Sequence, residues 1–147
     1  MPGPYLLDVN VLIALFDDAH VHHAAAHEWF LKAKALGWRT CPLTENGVLR
    51  ILSHPGYPNQ PLPISEISAR LEEFKAATSE HGFWNDDFSA STWLSDKKLA
   101  VGSANLTDAY LLKLAENHRG SLATFDRRLK PALIQATSDA LVEQVPG

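Results

Sequence analysis

The chain has 147 residues, of which 46% are hydrophobic and 20% are charged, and its formal net charge is -4. These values are typical of a globular protein with a substantial buried core, and we expect one domain over residues 1–147. The negative charge excludes a protein that binds nucleic acid mainly through phosphate contacts. A nuclease of this composition would have to recruit its substrate through bound metal and local basic residues.

The cysteine content and the first apolar run bear on the compartment of the protein. Cys41 is the only cysteine, so no internal disulfide can form, and we expect a reducing, cytoplasmic environment. The apolar run near the N-terminus is short and is interrupted by Asp8 and Asn10. We therefore expect neither a membrane span nor a signal peptide.

The first predicted strand ends in an acid. Residues 5–7 are apolar without alternation, which predicts a strand buried on both faces of a parallel sheet. An unpaired carboxylate inside such a strand would be costly to desolvate, so Asp8 is expected at its C-terminal end. Asn10 is the predicted N-cap of a short buried helix over residues 11–16. Open α/β sheets bind ligands at such strand ends, and we expect the chemistry there.

Two helices, a strand and a loop are predicted next. Residues 21–36 have the spacing of an amphipathic helix, whose apolar face is formed by Val21, Ala25, Trp29 and Ala33. Residues 38–42 predict a short second strand, and residues 43–53 predict a helix. Four prolines in residues 54–63 then predict a loop.

The middle of the chain predicts one helix and a third strand. Ser65 is the expected N-cap of a helix with an apolar face of Ile67, Leu71 and Phe74. Residues 81–84 predict the strand. Residues 87–105 are rich in serine and small residues, and no pattern divides them into elements.

The last third of the chain completes the alternation of strands and helices. Thr107 is the predicted N-cap of a helix that Gly120 ends. Residues 121–125 predict a fourth strand that ends at Asp126, and residues 140–145 predict a fifth. Alternating strands and helices indicate an α/β fold with a parallel sheet and helices on both faces.

Four acids occupy matching positions in this arrangement. Asp8 and Asp126 each follow an apolar strand, whereas Glu45 and Asp108 each lie in the first turn of a predicted helix. These positions share one edge of a parallel sheet, so the four carboxylates can converge. Each acid alone is explained better by the helix dipole or by turn preferences than by a function. Four clustered carboxylates repel one another, which indicates a hard divalent cation such as Mg²⁺ or Mn²⁺.

The sequence around these acids resembles a known family. The segments L-L-D-V-N-V-L-I-A-L, L-T-E-N-G-V-L-R-I-L, L-T-D-A-Y-L-L-K-L-A and L-A-T-F-D-R-R-L are similar to the four acidic blocks of PIN-domain ribonucleases. More narrowly, they resemble VapC-type toxins of type II toxin–antitoxin systems. The resemblance implies a PIN-like domain with a five-stranded parallel sheet, a homodimer, a cognate antitoxin protein as partner, and metal-dependent cleavage of RNA.

The resemblance also implies roles for individual residues. The acidic quartet is Asp8, Glu45, Asp108 and Asp126, with supporting polar residues at Asn10, Thr107 and Thr124. Asp8 and Asp108 are the expected direct ligands of Mg²⁺, for which Mn²⁺ is a possible substitute. The other two acids would act through water or at a second metal site. Separately from the resemblance, the candidate RNA contacts are Arg50, Arg127 and Arg128, although a solvated surface position is the favoured interpretation for any one of them.

Two other functions would also place acids at this sheet edge. A Mg²⁺-dependent phosphohydrolase or phosphoacceptor domain of the haloacid-dehalogenase-like kind requires D-x-D after the first strand. This chain has Asp8-Val9-Asn10, which lacks the second acid. A non-catalytic binding module with a PIN fold is the other alternative, and the intact quartet argues against it.

A zinc site is a further alternative, because four histidines lie close together in the sequence. The region lacks the glutamate of H-E-x-x-H and contains no cysteine, so exposed helix histidines are the favoured interpretation. The histidines concerned are His20, His22, His23 and His27.

Overall fold

The computed structural model describes residues 2–147 and contains one five-stranded parallel sheet. The strands lie in the order β3-β2-β1-β4-β5, and each neighbouring pair is parallel. The predicted α/β class with five strands is confirmed. The strands are β1 (Tyr5–Leu7), β2 (Trp38–Thr40), β3 (His81–Phe83), β4 (Ser121–Thr124) and β5 (Val142–Gln144).

Helices cover both faces of this sheet. Residues 87–105, which the sequence pattern did not divide, contain the fifth helix and a short 3₁₀ segment, Ser103–Asn105. No helix within residues 2–147 has the length and apolarity needed to cross a bilayer. The six α-helices are α1 (Val9–Phe16), α2 (His23–Ala33), α3 (Pro42–Ser53), α4 (Ile64–Ala76), α5 (Ala90–Lys97) and α6 (Leu106–Asn117).

The central strands contribute to a separate core on each face. Tyr5 and Leu7 pack into the core that contains α1 to α4, whereas Leu6 packs into the core that contains α5 and α6. Ala123 and Leu122 of β4 divide between the two cores in the same way. Both faces of these strands are buried, which explains why their sequences are apolar without alternation.

The start of α1 differs from the prediction. Asp8, not Asn10, is the N-cap, and its Oδ1 accepts the Val9 N–H at 2.8 Å. The helix therefore begins directly after β1, and Asn10 lies within its first turn. Asp8 is thus held by the helix it caps, as well as by its place at the end of the strand.

Two other predicted N-caps were also wrong. Ser65 lies inside α4, which has Pro63 at its N-cap position, and Thr107 lies inside α6, which follows Asn105. Both helices begin one residue before the hydroxyl residue that local preference selects. Helix α6 continues from the preceding 3₁₀ segment, so a capping side chain is not what starts it.

The apolar face of α2 was predicted in part. Val21 is 86% exposed and precedes the helix, which begins at His23. Trp29 and Ala33 are buried as expected, and Ala26 and Phe30 complete the face. Glu143 of β5 accepts a hydrogen bond from the Trp29 indole at 3.0 Å, which ties α2 to the edge strand.

The strand order reverses between β1 and β4, and the ends of these two strands form the centre of the C-terminal edge. Such a reversal leaves a crevice where ligands bind in open α/β sheets. Helix α3 packs closely against α1 beside this edge. A Cβ on Gly47 would lie 2.7 Å from the Val9 Cγ2, so only glycine permits this approach.

Candidate active site

Asp8 is a buried carboxylate at the reversal of the sheet. It is 8% exposed, and its Oδ2 accepts the Thr124 hydroxyl at 2.8 Å. Burial, together with the charges of Asp108 and Asp126, raises its pKa from 3.8 to about 6. The bonds from Thr124 and from the Val9 N–H oppose this rise without cancelling it. The site therefore holds an ionised Asp8 at a cost, which a nearby cation would reduce.

The Thr124 hydroxyl is the centre of a hydrogen-bond network below the acids. It donates to Asp8 and accepts from the Asn10 amide at 3.1 Å and from the Asp126 N–H at 3.0 Å. The Asn10 Oδ1 in turn accepts the Phe125 N–H at 3.2 Å. Asn10 and Thr124 thus fix the loop after β4 against α1, and they fix the orientation of two acids with it.

Asp108 and Asp126 lie close enough to Asp8 for their charges to affect its pKa. Burial raises the pKa of Asp108, and the neighbouring charge of Asp126 raises it further, while Arg128 opposes the shift. The Asp126 Oδ1 accepts the Arg128 N–H at 2.9 Å and lies 3.5 Å from the Arg128 Nε. Both acids line a groove of about 560 Å³ together with Arg128, Leu129 and Lys130.

Glu45 belongs to a different network at the same edge. Its Oε2 accepts the Thr40 hydroxyl at 2.6 Å, and the Lys75 Nζ lies 3.2 Å from Oε2 and 3.3 Å from Oε1. The Thr40 hydroxyl also contacts the His81 Nε2 at 2.8 Å. The charge of Glu45 is not among the causes of the raised pKa of Asp8 or Asp108. Three acids of the predicted quartet therefore interact, and the fourth is neutralised locally.

Comparison with known proteins identifies the family. The family model described as PIN domain matches residues 5–132. The chain belongs to the PIN domain family. It is 42% identical to ribonuclease VapC38 of Mycobacterium tuberculosis over 121 residues, which cover 82% of this chain and 84% of that protein. It is 40% identical to ribonuclease VapC39 of the same organism over 142 residues, 94% of this chain and 96% of that protein.

A third relative, ribonuclease VapC44 of Mycobacterium tuberculosis, is 39% identical over 127 residues, which cover 84% of this chain and 87% of that protein. The PIN match includes all four acidic blocks, from Asp8 to Asp126. The predicted family is confirmed, and with it the predicted fold.

The remaining predicted site residues of this PIN domain are dispersed. Thr107 is exposed in the first turn of α6, and among residues 2–147 its side chain makes no hydrogen bond to the acids. Arg127 donates to the Gly147 carbonyl at 3.4 Å, away from the groove. Arg50 lies beside His54 at a separate depression of about 200 Å³. Of the three predicted RNA contacts, Arg128 alone lines the acidic groove.

Two basic residues at the site were missed from the sequence. Lys130 lines the acidic groove, and its place after Arg127 and Arg128 was an available signal. Lys75 gave no such signal, because it lies 30 residues from Glu45 in sequence and ends a helix where a basic residue is common. Only the packing of α4 against α3 brings it to the site.

The donor chemistry of the PIN site fits a hard divalent ion, because the converging groups are carboxylates. Within residues 2–147, no three His, Cys, Asp or Glu side chains lie close enough to hold an ion together. Mg²⁺ commonly uses one or two carboxylates and keeps several waters. The carboxylates present therefore suit a hard divalent ion that takes one or two of them and completes its coordination with water.

The helix histidines have a structural explanation. The His23 Nδ1 lies 2.7 Å from the Ala14 carbonyl oxygen, and the His27 Nε2 lies 3.0 Å from the Leu15 carbonyl oxygen. Both carbonyls belong to the last turn of α1, where helix carbonyl groups lack partners. These two histidines therefore complete the hydrogen bonding of α1 and join it to α2.

Proposed function

We propose that the chain is a metal-dependent endoribonuclease of the VapC type, the toxin of a type II toxin–antitoxin pair. The single observation that carries the proposal is the interaction of Asp8, Asp108 and Asp126 at the sheet reversal of a PIN domain. The ribonuclease relatives match across most of this chain, so the proposal applies to the whole of residues 1–147 as one PIN-like domain.

In this proposal Asp8 and Asp108 hold the divalent ion, which is Mg²⁺, with Mn²⁺ as a substitute. When bound, such an ion lowers the pKa of a coordinated water and stabilises the charge on the leaving oxygen. Thr124 and Asn10 keep Asp8 oriented through the network below it. Asp126, which lines the groove, and Glu45, on α3, act on the ion through water or at a second metal site.

The groove beside these acids is the proposed RNA site. Arg128 and Lys130 lie along it next to Asp108 and Asp126, so an RNA phosphate meets positive charge beside the acids. The Arg128 side chain is 94% exposed, which leaves its guanidinium able to leave Asp126 for a phosphate. Arg128 and Lys130 thus supply the local positive charge that a nuclease with a net charge of -4 needs in order to bind RNA.

Cleavage of single-stranded or looped RNA by the purified protein tests the proposal. We expect cleavage with Mg²⁺ or Mn²⁺ that leaves a 5′-phosphate and a 3′-hydroxyl. Asp96→Asn is the matched control for substitutions of the site acids, since Asp96 is an exposed acid on α5 that does not line the groove. Full activity in excess EDTA, or a cyclic phosphate product, contradicts hydrolysis by a metal-activated water.

The antitoxin is proposed to lay an apolar helix across the acidic groove. Leu43 and Leu106, which are 38% and 41% exposed, lie in the first turns of α3 and α6 beside Glu45 and Asp108. A homodimer and a cytoplasmic location are part of the same proposal and are supported by the family alone. Growth of cells that express this chain with and without the product of the neighbouring gene tests the antitoxin partner. Light scattering of the purified protein tests the homodimer. Normal growth without the neighbour removes the toxin assignment and leaves the nuclease assignment standing.

A further inference from the structure

The acids at the sheet edge differ in whether a basic side chain neutralises them. Glu45 forms an ion pair with Lys75 at 3.2 Å. Within residues 2–147, neither Asp8 nor Asp108 has a Lys, Arg or His side chain at ion-pair distance. The negative charge left without a partner is therefore concentrated on Asp8 and Asp108.

The pair between Lys75 and Glu45 is held firmly. The two side chains are only 18% and 19% exposed, so water screens their attraction less than at an open surface. The Lys75 ammonium reaches both Glu45 oxygens and also pairs with Glu72 one turn earlier on α4. The Thr40 hydroxyl donates to the same carboxylate. Both oxygens of Glu45 therefore already have donors.

The exposed ion pair at the groove provides a contrast. Arg128 and Asp126 are 94% and 29% exposed and lie 3.5 Å apart. Pairs of this kind contribute little and exchange readily with water or with a ligand. Lys75 differs because its position is fixed by two carboxylates and by burial against α3.

We propose that Lys75 is a built-in counter-ion that keeps Glu45 out of the resting metal site. The inference rests on the proposed function and deepens it: the resting protein binds one divalent ion, at Asp8 and Asp108. Lys75 is a positioning residue, since it touches another side chain and not the substrate. An ion that recruited Glu45 would have to displace an ammonium group that two glutamates hold.

Mn²⁺ binding without RNA tests this role in a double-mutant cycle. Electron paramagnetic resonance counts unbound Mn²⁺ in solutions of wild type, Lys75→Met, Glu45→Gln and the double variant. Lys75→Met keeps the length of the side chain and removes its charge. We expect it to bind Mn²⁺ at least about tenfold more tightly, or to bind a second ion, because a nearby positive charge is gone. Glu45→Gln should bind more weakly, because Lys75 is then unpaired.

The double variant decides between the two roles of Glu45. It removes a neutral pair, so we expect one Mn²⁺ per chain with an affinity within about twofold of wild type, as no net charge changes. If Glu45 is a resting ligand, the double variant loses about tenfold or more instead, and the proposal is overturned. Unchanged binding in Lys75→Met overturns it as well. If Lys75→Met is unstable, the double variant alone still decides, because it removes both charges of the Lys75–Glu45 pair and frees only Glu72, which is 67% exposed to solvent.

Two further variants complete the design. Lys113→Met is the matched control, since Lys113 is 23% exposed and pairs with Glu116 on α6, outside the groove. It should bind Mn²⁺ as wild type does, and a change equal to that of Lys75→Met would overturn a site-specific role. Lys75→Arg keeps the charge and should restore wild-type binding. Undetectable Mn²⁺ binding by wild type would remove the metal premise itself, whereas a failed cycle removes only the role of Lys75.

Discussion

Asp8 and Glu45 lie at the same edge of one sheet, but only Glu45 forms an ion pair with a basic side chain in the part of the chain that the structure describes. Asp8 is 8% exposed and faces two further acids, and its pKa is raised to about 6. Glu45 is bound by Lys75 and Thr40. The comparison shows that the topology of the sheet determines which acids share an edge. The packing of α4, which carries Lys75, determines which of these acids remain free to bind a cation.

The two regions also differ in what holds them in place. Asp8 is fixed by neutral donors, the Val9 N–H and the Thr124 hydroxyl, which leave its charge uncompensated. Glu45 is fixed by an ammonium group from α4. A cation should therefore act mainly on the first region, and substitutions there should have the larger effects.

Loss of the Asp8 carboxylate is expected to have the largest effect. Asp8→Asn should lower the rate of RNA cleavage about a thousandfold or more, because metal binding and transition-state charge stabilisation, worth several kcal/mol, depend on it. Single-turnover cleavage assays in Mg²⁺ measure the change. Retention of a tenth or more of wild-type activity would transfer the central role to another acid.

The pH dependence of folding should reveal the uncompensated charge. Because the pKa of Asp8 is raised from 3.8 to about 6 in the folded protein, the folded state retains this proton more strongly than the unfolded chain does. Stability of the metal-free protein should therefore fall as pH rises from about 4 to 6, by at most about 3 kcal/mol from this group. Asp108, whose pKa is also raised, acts in the same direction.

Urea denaturation at a series of pH values in EDTA measures this fall. Asp8→Asn should show a smaller decrease over the same range, because its side chain does not titrate. A wild-type stability that rises between pH 4 and 6 more steeply than that of Asp8→Asn would contradict a raised Asp8 pKa.

The Thr124 hydroxyl should matter less than the acid it supports. Thr124→Val keeps the shape of the side chain and removes the donor to Asp8 and the acceptor for Asn10. We expect a loss of about 1–3 kcal/mol in stability and roughly tenfold in cleavage rate, since a buried carboxylate oxygen loses its partner. Thr124→Ser retains the hydroxyl and is the control. Equal damage from both substitutions would assign the effect to packing.

The smallest predicted effect distinguishes the acidic groove from the rest of the surface. Lys130→Gln should weaken RNA binding a few-fold and reduce the slope of log affinity against log salt by about 0.7, the value for one single-strand phosphate contact. Arg50→Gln should change neither quantity, because Arg50 lies at a separate depression. Fluorescence anisotropy with labelled RNA in EDTA provides both slopes. Equal losses in the two variants would place RNA over a wider surface.

The positions of the acids along the fold could be predicted because they depend on local sequence. Residues 5–7 are apolar without alternation, and β1 is buried on both faces, so Asp8 had to follow it. The C-terminal ends of parallel strands meet at one edge, which brings Asp126 and Asp108 towards Asp8. The family resemblance rested on these same segments.

The charge balance at the site could not be predicted in this way. Lys75 reaches Glu45 through the packing of α4 against α3, which no spacing in the sequence encodes. The helix starts were missed for a related reason. Asn10 and Thr107 have good capping side chains, but the neighbouring elements determine where the chain enters each helix.

Thermal melts of wild type and Asp8→Asn in EDTA and in millimolar Mg²⁺ test the central claim most directly. Because Asp8 is a buried charge without a counter-ion, Asp8→Asn should melt about 2–6 °C above wild type in EDTA. Mg²⁺ should stabilise wild type, since it binds the native state, and should stabilise Asp8→Asn much less. A variant that melts below wild type in EDTA and shows an unchanged Mg²⁺ shift would remove Asp8 from the metal site.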